Sequence, residues 1–238
     1  MNDFVTPRYG TAGGQGDAPM LELCELCISG GGCLIERLSL SVSRGEIFGI
    51  LGSTGAGKTA LFDVLSFRCM PAAGSVRVMG KDLRRNARLL SRYLASVPLP
   101  RRDLNILGDD YTARENLDFH AELLGFSHLR YQERITASLE RVDLAQYDNL
   151  RVGAFTGAMK RRLAFARALL IDPQLVVIDE PTAGVAEEDR PGIWKLIRSL
   201  QSEGMTLVLT TSTWEEAQVV CDRVARLADG KLQLFVAP

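Results

Sequence analysis

The sequence contains the segment Gly52-Ser53-Thr54-Gly55-Ala56-Gly57-Lys58-Thr59, which lies between a strand-like run at residues 46–51 and a helix-like run at residues 58–67. It fits the pattern G-x-x-x-x-G-K-[ST]. Glycines in such a loop let successive backbone N–H groups face phosphate oxygens, and the N-terminus of the following helix adds partial positive charge. The segment therefore predicts a phosphate-binding loop. A glycine-rich turn with a solvated lysine is the alternative, which the strand–loop–helix context disfavours.

Single residues near this loop suggest separate roles toward a nucleotide. Lys58 is placed to reach the β- and γ-phosphates, and the hydroxyl of Thr59 is placed to bind Mg²⁺. An apolar strand-like run at residues 175–178 ends in Asp179, which would hold the same ion from the other side. We expect the loop, extended by Ala60, to bind the nucleotide, and Thr59 and Asp179 to bind the metal.

The composition restricts the class of protein. The 238 residues are 46% hydrophobic and 24% charged, which allows one substantial core or two modest lobes. A net charge of −1 and a pI near 6.2 disfavour a broad surface for nucleic acid, because such a surface needs many uncompensated basic side chains. We therefore expect no nucleic acid partner.

The N-terminus and the cysteines bear on the location of the protein. Residues 1–19 are polar, rich in Gly and Pro, and lack an apolar stretch, so we expect a disordered leader and no signal peptide. The five cysteines are unevenly spaced, which favours a reducing cytosol over a disulfide framework. No run approaches the roughly 18 to 20 apolar residues that span a bilayer. If the protein serves a membrane process, the pore must lie on another chain.

The order of the predicted elements indicates an α/β fold. Short β-like runs at residues 20–42, interrupted by glycines, predict a hairpin or a small antiparallel layer, and residues 74–79 predict another strand. Three helix-like stretches follow, at residues 112–124, 130–142 and 160–170. The first has a capping box, Thr112 with Glu115, and Leu117, His120 or Ala121, and Leu124 on one face.

After the helical stretches the β/α alternation resumes. It predicts strands at residues 175–178 and 206–210, helices at residues 187–202 and 214–220, and a terminal hairpin across Asp229-Gly230. The middle of the chain is therefore interpreted as a helical insertion into an α/β core.

Three motifs occur in a characteristic order. The phosphate loop is followed by Phe155-Thr156-Gly157-Ala158-Met159-Lys160-Arg161-Arg162-Leu163 and then by Asp179-Glu180-Pro181-Thr182. Together they resemble the nucleotide-binding domain of ABC transporters, and most closely the exporter-type ATPase subunits whose signature carries Met followed by Lys-Arg-Arg. The likeness covers nearly the whole chain from Met20. It implies a domain at residues 20–238 with a P-loop NTPase (RecA-like) core, an N-terminal antiparallel β layer and a helical subdomain insertion at roughly residues 100–170.

The resemblance also implies an activity and partners. It implies an ATPase subunit that binds ATP and Mg²⁺ and is attached to the cytoplasmic face of a membrane through a separate transmembrane permease. Two ATPase subunits, either a homodimer or a heterodimer with a second ABC ATPase, would pair head to tail. In that dimer Thr156, Gly157 and Ala158 would contact the nucleotide held by the partner chain, although Thr156 could instead be an ordinary helix N-cap. Glu180 would be the catalytic carboxylate that polarises the attacking water.

Several positions depart from the family pattern. Leu99 stands where the family has a glutamine, Ser212 where it has a histidine that touches the γ-phosphate, Ala186 where it has an acid, and Ala158 where it has a second signature glycine. An aromatic residue that would stack on adenine is missing near Ser29. Ser212 could still donate one hydrogen bond, so we keep it with Lys58 and Glu180 as a catalytic candidate. We expect nucleotide binding to survive better than turnover.

Two functions of different class follow from these departures. The first is an energy-coupling ATPase with slow or partner-dependent hydrolysis. The second is a regulatory, largely non-hydrolytic ATP-binding subunit of a heteromeric complex. A soluble ABC-type ATPase acting on ribosomes or DNA is weakly supported, because the chain has neither a second cassette nor a basic excess.

Overall fold

The computed structural model describes residues 18–30, 33–100, 108–126 and 128–235. Most of the predicted leader, residues 1–17, lies outside the described residues, as do two residues of the predicted glycine turn, Gly31 and Gly32. None of the helices in the described ranges combines the length and the apolar character needed to cross a bilayer.

The described chain forms ten strands and seven helices. In chain order the strands are β1 (Leu21–Gly30), β2 (Cys33–Val42), β3 (Ile47–Leu51), β4 (Ala73–Val78), β5 (Lys81–Asp82), β6 (Leu94–Val97), β7 (Leu175–Asp179), β8 (Thr206–Thr211), β9 (Arg223–Ala228) and β10 (Lys231–Phe235). The helices are α1 (Lys58–Leu65), α2 (Leu83–Leu90), α3 (Ala113–Leu123), α4 (His128–Arg141), α5 (Gly157–Leu169), α6 (Arg190–Ser202) and α7 (Trp214–Val220).

The strands form two sheets. One is a four-stranded antiparallel sheet in the order β2-β1-β4-β5. The other has six strands in the order β10-β9-β3-β8-β7-β6, and its pairs are parallel except for β10 with β9. The predicted antiparallel β layer and the predicted α/β core are therefore both confirmed.

The central strands β3, β8 and β7 of the six-stranded sheet are buried on both faces, and their residues alternate between two apolar clusters. Ile47 and Ile178 pack on the face that carries α3 to α7, whereas Phe48 and Val177 pack on the face that carries α1 and the antiparallel sheet. This alternation is the period of two expected for a strand. Because helices and a second sheet cover it, β7 can be an uninterrupted apolar run up to Asp179.

The strand order brings four chain segments to one edge of the sheet. β3, β8, β7 and β6 run parallel, so the residues that follow them lie side by side at their carboxyl ends. These segments begin at Gly52, Ser212, Glu180 and Pro98. In an open α/β sheet this edge is where ligands bind.

The helices between β6 and β7 follow the predicted order with shifted boundaries. The capping box of α3 is confirmed: Thr112 accepts a hydrogen bond from the Glu115 backbone, and the Glu115 carboxylate accepts one from the Thr112 backbone. Of the residues predicted to share one face, Leu117 and Ala121 are fully buried, whereas Leu124, the C-cap of α3, is 42% exposed. The boundary of the helical insertion as a subdomain stays a prediction.

Two helices begin three residues away from the predicted start, for local reasons. α5 starts at Gly157 instead of residue 160, because Thr156 caps it. α6 starts at Arg190 instead of residue 187: Pro191 suits a first turn, and the residues before it, Glu187–Asp189, form a separate 3-10 turn. α2, which follows an Asp82 cap, was not expected from the sequence.

Candidate functional site

The phosphate loop joins β3 to α1, as predicted. Gly55 and Gly57 have φ values of 87° and 101°, in the left-handed region that disfavours side chains. Gly57 is the N-cap of α1, and no side chain caps the helix there. The first-turn N–H groups of α1, which have no partners within the helix, are therefore left for an anion at its N-terminus.

Lys58 lies buried at the centre of this loop. It is 6% exposed, and its Nζ donates to the carbonyl oxygens of Gly52 at 2.7 Å and Ser53 at 3.1 Å. Its third contact is Glu180 Oε1 at 3.1 Å. The ammonium is thus fixed beside the loop and directly faces the carboxylate predicted to be catalytic.

Asp179 and Glu180 leave the end of β7 in different surroundings. Asp179 is fully buried, and its Oδ1 accepts a hydrogen bond from Thr210 Oγ1 at 2.6 Å. The pairing of β7 with β8 puts these two residues opposite each other. Glu180 is partly exposed and has a φ of 46°. A non-glycine residue in that region costs of order 1–3 kcal/mol, so its surroundings must hold it there.

Ser212 holds the other oxygen of Glu180. Its backbone N–H and its hydroxyl each donate to Glu180 Oε2 at 3.1 Å. The carboxylate is therefore fixed at both oxygens, by Lys58 on one side and by Ser212 on the other. Ser212 thus acts on Glu180 through a hydrogen bond that the sequence did not reveal.

A cavity of about 660 Å³ opens between the phosphate loop and the segments that follow β7 and β8. Eight of the predicted site residues line it: Thr54, Gly55, Gly57, Lys58, Thr59, Ala60, Glu180 and Ser212. The remaining lining residues are Leu99, Thr182, Ala183, Gly184, Val185, Arg190, Thr213 and Glu216. The structure therefore brings most of the predicted nucleotide and catalytic residues together around one space.

The other predicted site residues lie outside this lining. Gly52, Ser53 and Ala56 make backbone hydrogen bonds that hold the loop in place. The Gly52 N–H donates to the Thr211 carbonyl, and the Ser53 carbonyl accepts from the Ala56 N–H. A Cβ at Gly52 would lie 2.8 Å from the Leu227 carbonyl oxygen, so this position admits glycine alone without a shift of the backbone.

The three residues predicted to contact a partner's nucleotide, Thr156, Gly157 and Ala158, lie at the start of α5 and are not part of the cavity lining. Thr156 Oγ1 accepts the Met159 N–H at 3.2 Å, so its interpretation as a helix N-cap is confirmed. Gly157 is exposed, but a Cβ there would lie 2.1 Å from the Gly184 carbonyl oxygen. Ala158 packs against the apolar core. Contact of these residues with a partner's nucleotide stays a prediction.

Sequence reasoning missed three polar groups that support the site. Thr210 holds Asp179, and Arg161 donates to backbone carbonyls around Asp179 and Glu180. Glu216, 1% exposed, accepts hydrogen bonds from Thr182 Oγ1 and Trp194 Nε1 at 2.8 and 3.1 Å. A usable signal was present for Arg161, because Phe165 and Leu169 follow it at intervals of four residues on the buried face of α5.

The donor chemistry of the site fits a Mg²⁺-bound nucleoside triphosphate. Mg²⁺ prefers oxygen ligands, and the Thr59 hydroxyl and the Asp179 carboxylate supply them. Backbone N–H groups at the N-terminus of α1 and the Lys58 ammonium suit phosphate oxygens. The residues present are therefore those that such a ligand needs.

Comparisons with known proteins agree with this geometry. The family model described as ABC transporter matches residues 35–183. "Nod factor export ATP-binding protein I" of Rhizobium sp. (strain N33) is 39% identical over 198 residues, which are 83% of this chain and 64% of that protein. The protein of the same name from Paraburkholderia xenovorans (strain LB400) is 37% identical over 198 residues, with the same two shares. The chain spans about three fifths of the length of the curated relatives it matches.

Solved structures share the fold. The chain superimposes on cbiO1 from Clostridium perfringens, part of the ABC transporter complex cbiONQ, with a TM-score of 0.82 and 22% identity over 94% of this chain and 90% of that one. A nucleotide-free ATP-binding cassette from an ABC transporter gives 0.81 and 21%, covering 93% of this chain and 92% of the other. The fold class predicted from the sequence is confirmed.

Proposed function

The chain belongs to the ABC transporter family, and from that membership we propose that it is an ATP-binding subunit that couples ATP binding, and slow or partner-dependent hydrolysis, to a separate membrane permease. One observation carries the proposal most directly. The buried Lys58 ammonium lies between the phosphate loop and Glu180, at the edge of the sheet where Asp179 also ends its strand.

We assign the binding roles to the phosphate loop and to Asp179 at the end of β7. The loop from Gly52 to Ala60 and the Lys58 ammonium bind the phosphates, and Thr59 and Asp179 hold Mg²⁺. The bound ion neutralises charge on the phosphate oxygens. Thr210 keeps Asp179 in place through its hydrogen bond to Oδ1.

We assign the hydrolytic role to Glu180 and a positioning role to Ser212. Glu180 orients the attacking water, and the two donors of Ser212 fix the carboxylate oxygen that Lys58 does not contact. The hydroxyl of Ser212 is neutral, so it supplies no positive charge to a phosphate, and its hydrogen is directed to Glu180. Ser212 therefore compensates only in part for the histidine that the family has at this position.

Slow turnover is supported by Leu99 and Ala186, which stand where the family has polar side chains. Leu99 lines the cavity and has no polar atom with which to bind Mg²⁺ or water. Ala186, exposed beyond Glu180, lacks the carboxylate usual there. These two positions have thus lost polar groups, while the phosphate loop has kept its own.

We further propose a head-to-tail pairing of two ATPase subunits beneath the permease at the cytoplasmic face of a membrane. The exposed start of α5, at Thr156 and Gly157, supports this, because it could approach a nucleotide held by a second chain. The relatives are named as export proteins, so we assign the complex to export. The cargo would contact the permease and not this chain.

A regulatory ATP-binding subunit is the second candidate. Leu99, Ala186 and Ser212 favour it: the first two have no polar side-chain atom, and the third is a neutral hydroxyl where the family has a histidine. In that case ATP holds a heteromeric assembly together, and a companion ATPase performs most of the hydrolysis.

One experiment separates the two candidates. ATP binding is measured by calorimetry on the full chain, and phosphate release is measured on the complex with its permease and any companion ATPase. The proposed function predicts Lys58-dependent binding and phosphate release that falls on Glu180→Gln. Phosphate release that is unchanged by Glu180→Gln would support the regulatory role. Absence of nucleotide binding at millimolar ATP would overturn both.

A further inference from the structure

Arg161 is the most deeply buried charged side chain of α5. It is 2% exposed, although it lies in the basic run Lys160-Arg161-Arg162. Burying a guanidinium is costly unless its N–H groups find acceptors. Such a residue at the start of the signature helix therefore needs an explanation beyond solubility.

Backbone carbonyls around the candidate site supply these acceptors. Nε donates to Pro181 at 2.7 Å, and Nη2 donates to Asp179 at 2.8 Å and to Glu180 at 3.1 Å. Nη1 donates to the carbonyl of Pro98. One guanidinium thus joins α5 to the segment after β7 and to the segment after β6.

The bonds to Asp179 and Glu180 act on a strained stretch of backbone. Glu180 has a φ of 46°. Its N–H donates to the Thr210 carbonyl at 3.0 Å, and its own carbonyl accepts from Arg161. The peptide groups on both sides of the Glu180 Cα are therefore fixed, and they set the direction in which the carboxylate points.

The hydrogen bond to the Pro98 carbonyl lies one residue before Leu99, the position where this chain departs from the family's glutamine. Leu99 follows Pro98 and has no polar side-chain atom with which to contact the site. A connection from this segment to Glu180 is nevertheless present, and it runs through the backbone carbonyl of Pro98 and the Arg161 side chain.

We propose that Arg161 is a positioning residue that fixes the Glu180 carboxylate relative to both the start of α5 and the segment after β6. This inference rests on the proposed function, since it assigns Arg161 a part in hydrolysis at this site. Arginine is required for it, because the guanidinium donates from three nitrogens to four carbonyls on two segments, whereas a lysine ammonium has its N–H donors on a single nitrogen.

Arg162 provides a matched control on the same helix. Its Nη1 donates to Val142 O and to Asp143 Oδ2, both at 2.7 Å, and its Nη2 donates to Gly192 O at 3.4 Å. It therefore joins α5 to the end of α4 and to α6, and makes no hydrogen bond to the segments that carry Glu180 or Pro98 among the described residues. Arg161→Lys and Arg162→Lys both preserve charge: the first removes contacts of a buried side chain to the Glu180 and Pro98 segments, and the second removes contacts of a partly exposed side chain to residues after α4 and in α6.

The first test is steady-state ATP hydrolysis by the complex with its permease. We expect Arg161→Lys to lower kcat by about tenfold or more and to leave KM within about threefold, because the carboxylate is misdirected while the phosphate loop is intact. Arg162→Lys should change both constants by less than about twofold. Equal losses in the two variants, or a rise in KM without a fall in kcat, would overturn the proposal.

The second test does not depend on hydrolysis. Hydrogen–deuterium exchange of the full chain with Mg-ATP should be faster in Arg161→Lys, but not in Arg162→Lys, in the peptides that cover residues 96–99 and 178–185. Peptides from β3 and from α1 should be unchanged. Uniformly faster exchange in Arg161→Lys would indicate a general loss of stability and would overturn the inference, as would no change at all. If the wild-type complex hydrolyses no ATP, the proposed function fails, and this exchange pattern still decides whether Arg161 holds Glu180.

Discussion

The phosphate loop and the wall that faces it across the cavity are built in different ways. The loop owes its shape to the backbone: Gly55 and Gly57 have positive φ angles, and the carbonyls of Gly52 and Ser53 hold Lys58. The facing wall owes its chemistry to side chains, among them Leu99. A site built from the backbone restricts which residues its loop can contain. Side chains that line the facing side of a cavity can be replaced by apolar ones without a change of fold.

This difference suggests that binding and turnover can be separated in this protein. Changes to the wall should affect the rate of hydrolysis, and changes to the loop should affect affinity or folding. The following substitutions are ordered by the size of the effect that we expect.

Glu180→Gln should have the largest effect. We expect hydrolysis to fall by about 10²- to 10³-fold, the typical loss when one transition-state group is removed. ATP affinity should be kept or raised, because Lys58 loses the carboxylate that lies 3.1 Å away. Phosphate release and calorimetry on the same complex measure both. Glu188→Gln, at an exposed acid, is the control, and an affinity that falls in parallel with the rate would break the separation.

Lys58→Ala should weaken ATP binding by about 10- to 100-fold, since a hydrogen bond to a charged group contributes roughly 1.5–3 kcal/mol. Calorimetry with Mg-ATP measures the change in Kd. Lys81→Ala removes an exposed lysine on β5 and should leave the Kd unaltered. An unchanged Kd in Lys58→Ala would remove the loop from nucleotide binding.

Gly157→Ala tests whether a backbone-built contact tolerates a side chain. Alanine normally favours a helix over glycine by up to about 1 kcal/mol. Here its Cβ would lie 2.1 Å from the Gly184 carbonyl oxygen, so we expect a net destabilisation. Overpacking of this kind costs about 1–3 kcal/mol. Urea unfolding measures it, with Gly108→Ala as the control because its Cβ would meet nothing within 4 Å.

Ser212→Ala should have the smallest effect. It removes the hydroxyl donor to Glu180 Oε2 but keeps the backbone donor. Because this hydrogen bond is exposed to solvent and the backbone donor to the same oxygen remains, we expect a loss of only about 0.5–1.5 kcal/mol, which corresponds to a fall in kcat of roughly 2- to 12-fold, with KM unchanged. Ser202→Ala, at the exposed end of α6, is the matched control for this rate measurement. A fall in affinity instead of rate would place Ser212 with the loop.

The sequence sufficed to predict those parts of the molecule that local rules control. The phosphate loop, the strand ending in Asp179 and the capping box of α3 depend on residues close together in the chain. The start of α5 lies three residues before the predicted one, because the Thr156 side chain caps the helix at Gly157.

The contacts that join distant segments could not be predicted in this way. Arg161 reaches Pro98, 63 positions earlier in the chain, and Ser212 reaches Glu180, 32 positions earlier. Only the order of the parallel strands brings these residues together. A basic triplet such as Lys160-Arg161-Arg162 therefore gives no sign, by charge alone, that its middle member is buried.

The contact between Lys58 and Glu180 has a kinetic consequence. Two opposite charges 3.1 Å apart act together as a dipole, and its field fades quickly with distance. At physiological ionic strength the screening length is about 8 Å, so this pair does little to draw a triphosphate from solution. The Lys58–Glu180 pair should accordingly contribute little to any dependence of the nucleotide association rate on added salt.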